Sequence, residues 1–130
     1  EYSSRMTSST APFVGVFTID APDASALAAF YAELLALDTL AEGDGYAMIG
    51  KEGTTSIGFT AVEDFAAPPW PDTGRKQFHL DLAVDDTEAV ADRAVELGAR
   101  LADPQPGDTW KVLIDPAGHP FCLTDAKNWG

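Results

Sequence analysis

Residues 76–98, "KQFHLDLAVDDTEAVADRAVELG", change hydrophobic period part way along. Phe78, Leu80, Leu82 and Val84 alternate with Gln77, His79, Asp81 and Ala83, the period of a half-buried strand. Asp86 then stands where a helix N-cap is wanted, and Gly98 supplies a C-terminal stop after "TEAVADRAVEL". The same order occurs upstream. "FVGVFTID" (13–20) reads as a strand, Asp23 as a cap, and "ASALAAFYAELLAL" (24–37) as a helix with Leu27, Tyr31, Leu34 and Leu35 at helical spacing. Sliding the chain by 63 residues lays Asp23 on Asp86, Leu27 on Val90, Leu34 on Leu97 and Val16 on His79. An internal repeat is therefore expected.

Each helix is followed by strand-favouring runs. "GDGYAMIG" (43–50) and "TTSIGFTAVE" (54–63) are joined by a turn at "KEG", and after the second helix come "ARLAD" (99–103) and the hairpin "TWKVLIDPAGHPFCLTD" (109–125). The prolines of "AAPPWPDTG" (66–74) stop a sheet and make a surface linker. The expected fold is α+β: two βαβββ modules, 13–65 and 76–125, joined by linker 66–75, with curved mixed sheets around a shared cavity and the helices on the outer faces. Residues 1–12 are expected to be a disordered N-terminal segment, with a tag-like stretch before Met6, and 126–130 a C-terminal tail.

Composition narrows the partners. The chain has 130 residues, 45% hydrophobic and 22% charged, which suits one globular domain. Its net charge of −13, with only eight Lys and Arg, would repel a phosphate backbone and excludes nucleic acid as the main partner. The same charge would draw a cationic ligand, although acidic surfaces also serve solubility. No apolar run approaches a membrane span of about 18 residues, and one cysteine cannot form an intramolecular disulfide. A cytoplasmic protein without membrane contact is expected.

The hairpin sets which side chains share a face. Pro116 and Gly118 suit a short loop pairing Asp115 with His119, which pairs Leu113 with Phe121, Val112 with Cys122 and Trp110 with Thr124. Phe121, Leu123 and Leu113 then face the helix. Trp110, Val112, Cys122 and Thr124 face the cavity, together with Gln77, His79 and Asp81. His119, in the turn, is expected at the surface.

The blocks "VFTIDAPDASALAAFYAELLAL", "FHLDLAVDDTEAVADRAVELGA" and "DPAGHPFCLTD" together resemble the vicinal oxygen chelate superfamily, which includes glyoxalase I, extradiol dioxygenases and bleomycin-resistance-type proteins. The resemblance runs from about Phe13 to Asp125. It implies a homodimer and, in the enzymes, a divalent metal held on the first and last strand of each module. The matching positions here are Val16, Gly58, His79 and Cys122, of which only His79 is a usual ligand; Cys122 stands where a Glu usually closes the site.

We therefore expect no metal and no catalytic residue, but a protein that sequesters a drug-like or natural-product ligand in a polar and aromatic cavity. Its ligand-binding residues would be Gln77, His79, Asp81, Trp110, Cys122, Thr124, Trp70 and Tyr46. The alternative is a lyase, isomerase or dioxygenase, using His79 as a base or a divalent metal held by His79, Cys122 and Asp81. Cys122 has two open roles, a nucleophile activated by His79 or a small buried hydrophobe. Trp110 is open between a stacking wall and packing, Trp70 between a stacking wall and a dimer contact sealed together with Trp129, and Tyr46 between ligand wall and core.

Overall fold

A computed structural model of the chain describes residues 14–71 and 79–129. Phe13, Gln77 and Phe78, the disordered segment expected at 1–12 and Gly130 at the chain's end lie outside the described residues, as does 72–78 of the linker and strand start. The chain divides into two compact units, 1–63 and 64–130.

The first unit is β1 (Val16–Ala21), α1 (Ala24–Leu35), β2 (Asp38–Gly43), β3 (Tyr46–Gly50) and β4 (Ser56–Ala61). Its sheet has the order β1-β4-β3-β2, with β1 parallel to β4 and the other pairs antiparallel. Helix α1 starts because the Asp23 carboxylate accepts the Ala26 N–H at 3.1 Å. It buries Leu27, Ala28, Phe30 and Tyr31, and Tyr31 stacks on Phe59 of β4 with ring centroids 6.0 Å apart. Phe59, Ala47 and Ile49 thereby form the core side of this sheet. Leu34 and Leu35, expected in the stripe, are only half-buried, and Phe30 takes a buried place beside Tyr31 instead.

The second unit repeats the order: β5 (Leu80–Val84), α2 (Thr87–Glu96), β6 (Arg100–Leu101), β7 (Lys111–Ile114) and β8 (Pro120–Asp125), then a short 3-10 helix over Ala126–Trp129. The sheet order is β5-β8-β7-β6, with β5 parallel to β8. Two four-stranded mixed sheets, each with one helix, bear out the α+β class and the βαβββ repeat. The strand missing from the first-half sequence reading is β2, "DTLAEG", whose Asp, Glu and Gly are poor strand formers. Backbone pairing with β3 makes it a strand despite its composition.

Helix α2 is capped as α1 is, by the Asp86 carboxylate accepting the Ala89 N–H at 3.1 Å, and it ends at Leu97 before Gly98 at φ 119°. Replacing Asp86 with alanine removes that bond in an exposed setting. A loss of about 1 kcal/mol is expected, read as a lower urea midpoint with an unchanged slope. A loss under a few tenths would mean that water replaces the cap without cost.

The hairpin register is as counted from the turn: Leu113 pairs with Phe121 and Val112 with Cys122. Its loop is held by Asp115, 4% exposed, whose carboxylate accepts N–H bonds from Ala117 and His119, both at 2.9 Å. His119 is not simply a surface residue. It is half-buried, with its ring edge-on to Phe65 at 5.3 Å. Among the described residues no helix is long and apolar enough to cross a membrane.

Candidate functional site

The second sheet has one closed face on the helix side and an opposite face with its own buried cluster. Leu113, Phe121 and Leu123 are fully buried on the closed face. Lys111 shares that side and reaches Glu88 of α2 at 3.1 Å, which fixes it as the helix side. Strand parity then sends Val112, Ile114 and Cys122 to the other face, where they form a small apolar cluster with Ala102. Asp81 lies directly opposite Cys122 in the parallel β5–β8 ladder, and His79 immediately precedes β5.

These three residues converge. The nearest His79 nitrogen, a carboxylate oxygen of Asp81 and the Cys122 Sγ all lie within 4.8 Å of one another. His79 Nε2 and Asp81 Oδ2 are 3.5 Å apart, with the side chains 34% and 40% exposed. Cys122 is buried. A partly solvated imidazole–carboxylate pair adds little stability, so its importance is chemical: one basic nitrogen, one acidic oxygen and one sulfur meet at a single point.

Two indoles pack on the apolar cluster that contains Cys122. Trp70, from the linker, and Trp110, just before β7, both pack against the Cys122 cluster. Trp70 is held by its indole N–H, which donates to Pro104 O at 3.1 Å. Trp110 folds back over Gly107, where any Cβ would run into its six-membered ring. The loop that leads from β6 to Trp110 is pinned by Gln105. Its amide nitrogen donates to Ala102 O and Val112 O, both at 2.8 Å, and its Oε1 accepts the Val112 N–H at 2.9 Å. Gln105 acts here as a one-residue extension of the β-ladder. Nothing in "ADPQPGDTW" marks it beyond the loop-forming prolines, because the bond depends on where the loop returns.

The other expected ligand residues are less central. The Thr124 hydroxyl donates to Leu82 O at 3.3 Å, so its polarity is used between strands β8 and β5. Tyr46 belongs to the first unit, at the start of β3, where its ring lies over Gly43 and it is 48% exposed. It is not a core residue there. Gln77 lies outside the described residues.

The first unit carries the repeat of the same constellation without its chemistry. Thr18 faces Gly58 across the parallel β1–β4 ladder, as Asp81 faces Cys122. A Cβ placed on Gly58 would come within 3.1 Å of Thr18 Oγ1 and 3.2 Å of Val16 Cγ2. These three positions also converge, but they hold an isopropyl group, a hydroxyl and no side chain at all. The four-position metal centre implied by the resemblance therefore does not fit this chain, since Val16 and Gly58 contribute no donor atom.

A glyoxalase-like domain model matches residues 16–124. No curated protein sequence matches significantly. Among solved structures, the trypanothione-dependent glyoxalase I of Leishmania major is 16% identical, with a TM-score of 0.66 over 92% of this chain and 90% of that one. An antibiotic-binding protein from Streptomyces sp. CB03234 is 24% identical, with a TM-score of 0.57 over 90% and 98%. The bleomycin-binding protein of Streptomyces verticillus, solved with copper(II)-bleomycin, is 16% identical, with a TM-score of 0.56 over 89% and 98%. At such identities these structures share the fold with this chain. With the domain model spanning both repeats, the chain belongs to the glyoxalase-like family of the vicinal oxygen chelate superfamily.

Proposed function

We propose that this chain is a small-molecule-binding protein that sequesters a drug-like or natural-product ligand, cationic or aromatic, by contact and without bond chemistry. The observation that carries this reading is the pair of indoles, Trp70 and Trp110, packed against the apolar cluster that contains Cys122, whose Sγ lies within 4.8 Å of the donor atoms of His79 and Asp81. Indole faces supply stacking area for a flat ligand, and adjacent polar groups fix its orientation. Neither role needs a metal. The net charge of −13 favours capture of a cation over long range. Two proteins of this fold bind antibiotics, one of them bleomycin, which supports the ligand class. In this reading residues 13–125 work as one glyoxalase-like domain, in a cytoplasmic homodimer.

A second reading is favoured by the His79–Asp81 pair. A carboxylate 3.5 Å from an imidazole nitrogen can orient it as a general base for a lyase or isomerase. One experiment separates the two. A panel of cationic and aromatic antibiotics, bleomycin included, is titrated against tryptophan fluorescence, and each bound compound is recovered for mass analysis. Stoichiometric quenching with the compound unchanged is expected, and Trp110→Ala should weaken binding by about tenfold or more. Recovery of a transformed compound would establish the second reading, and no binding across the panel would overturn the first.

A further inference from the structure

One loop supports both indoles, and one side chain ties that loop down. We propose that Gln105 is the positioning residue of the candidate site: by fastening its loop to β7 it fixes the pose of Trp70 and of Trp110 together, and so makes the site prefer a flat aromatic cation to a flexible aliphatic one. This rests on the ligand-capture reading, since a posed indole matters only where a ligand stacks on it.

The bonds of Gln105 stand in for a strand. Strand β6 is only Arg100–Leu101. Its ladder with β7 continues for one more bond, from Ala102 N–H to Val112 O at 3.0 Å, and then meets Pro104, which has no N–H to donate. The Val112 N–H is left without a strand partner on that side. Gln105 supplies one, with Oε1 accepting the Val112 N–H at 2.9 Å while Nε2 donates to Ala102 O and Val112 O, both at 2.8 Å. A side-chain amide carries both donors and an acceptor at one end. Glutamate at neutral pH would keep the acceptor and turn an oxygen toward two carbonyls, and alanine would lose all three bonds.

Both rings depend on the result. Gln105 and Val112 close residues 106–111 into a loop, and Trp110 lies inside it with its ring over Gly107. Pro104, one residue before Gln105, offers the carbonyl that accepts the Trp70 indole N–H at 3.1 Å. Each of these contacts seats one ring, whereas the Gln105 bonds bear on both. Rings held in place before a ligand arrives spare it the ordering cost of two side chains. The benefit goes to a ligand that lies on rigid ring faces, which is a flat aromatic cation. An aliphatic polyamine is drawn by the net charge of −13 and needs no fixed ring face.

The test uses the full chain with Trp129→Phe as parent, which leaves Trp70 and Trp110 as its only indoles. Near-ultraviolet circular dichroism reads their pose, and calorimetry reads the affinity for ethidium, a flat cation, and for spermine, a flexible one. Gln105→Ala should lose most of the near-ultraviolet signal with the far-ultraviolet spectrum unchanged. It should bind ethidium about tenfold more weakly, with spermine affinity retained. Gln105→Glu should show the same losses at about pH 8 and recover toward the parent at about pH 5, because two facing carbonyls raise the pKa of that carboxyl and its protonated form regains a donor. The parent is measured at both pH values, and if Gln105→Ala does not fold, the pH dependence of Gln105→Glu decides. An unchanged near-ultraviolet spectrum in folded Gln105→Ala overturns the proposal, since water would then hold the loop equally well. So does a Gln105→Glu variant that follows the parent at both pH values, or an equal loss of ethidium and spermine. A parent that binds no ethidium overturns the selection of flat cations, and ligand capture itself is decided separately by the antibiotic panel. Ethidium bound equally by parent and Gln105→Ala overturns the role of Gln105 and leaves capture intact.

Discussion

Replacing Phe121 with alanine is expected to cost about 3–5 kcal/mol, the largest loss of any single side chain in the second unit. Phe121 is 0% exposed and sits in the middle of its sheet, paired with Leu113 on one side and Leu80 on the other. Leu113 and Leu123, its neighbours on the closed face, are also fully buried, so little can collapse into the space that the ring leaves. That rigidity sets the upper part of the range, because the residual cavity adds to the lost transfer energy. Against a total of about 5–15 kcal/mol for an ordinary domain, such a loss brings the unit near its unfolding threshold at room temperature. The measurement is urea unfolding followed by tryptophan fluorescence. All three tryptophans, Trp70, Trp110 and Trp129, belong to the second unit, so the signal reads that unit directly. A loss below about 1 kcal/mol would mean that the face refills, and the close packing described for it would be wrong.

The position of Phe121 is legible in the sequence, for a reason that explains what else is and is not. Two periods, two Asp caps and a proline–glycine turn are local signals, and the fold follows from them because each is repeated at the same spacing. The register counted from "DPAG" placed Cys122 beside Val112, and the structure keeps that pairing. Strand β2 escaped because "DTLAEG" has no strand composition, and pairing with β3 creates it. The site divides in the same way. That His79, Asp81 and Cys122 share a face follows from parity, but that their donor atoms come within 4.8 Å depends on side-chain rotamers, which no spacing fixes. His79 stands just before β5, outside the regular strand, and its Nε2 lies 3.5 Å from Asp81 Oδ2. Gln105 is invisible in the sequence for the further reason that two of its three bonds join a loop to a strand residue seven positions on.

Gly118→Ala should destabilise the second unit by about 2 kcal/mol or more, through two separable causes. Gly118 has φ 101°, a backbone conformation that costs an alanine about 1–2 kcal/mol. A Cβ there would also collide with the Cβ of Ala67 in the linker, and overpacking of that kind costs about 1–3 kcal/mol unless the neighbour moves. Three residues beyond Ala67 is Trp70, whose indole donates to Pro104 O and packs against the Cys122 cluster. A linker pushed off Gly118 therefore loosens one aromatic wall of the candidate site, and tryptophan emission should shift to longer wavelength in the folded protein. The double variant Gly118→Ala with Ala67→Gly separates the causes, because it removes the collision and keeps the backbone strain. It should regain the emission maximum and about half of the lost stability. If Gly118→Ala alone stays within about 0.5 kcal/mol of the parent, the linker does not rest on the hairpin, and Trp70 loses the support that makes it a wall. If stability falls but emission does not move, the strain is real and Trp70 is held by Pro104 and the Cys122 cluster alone.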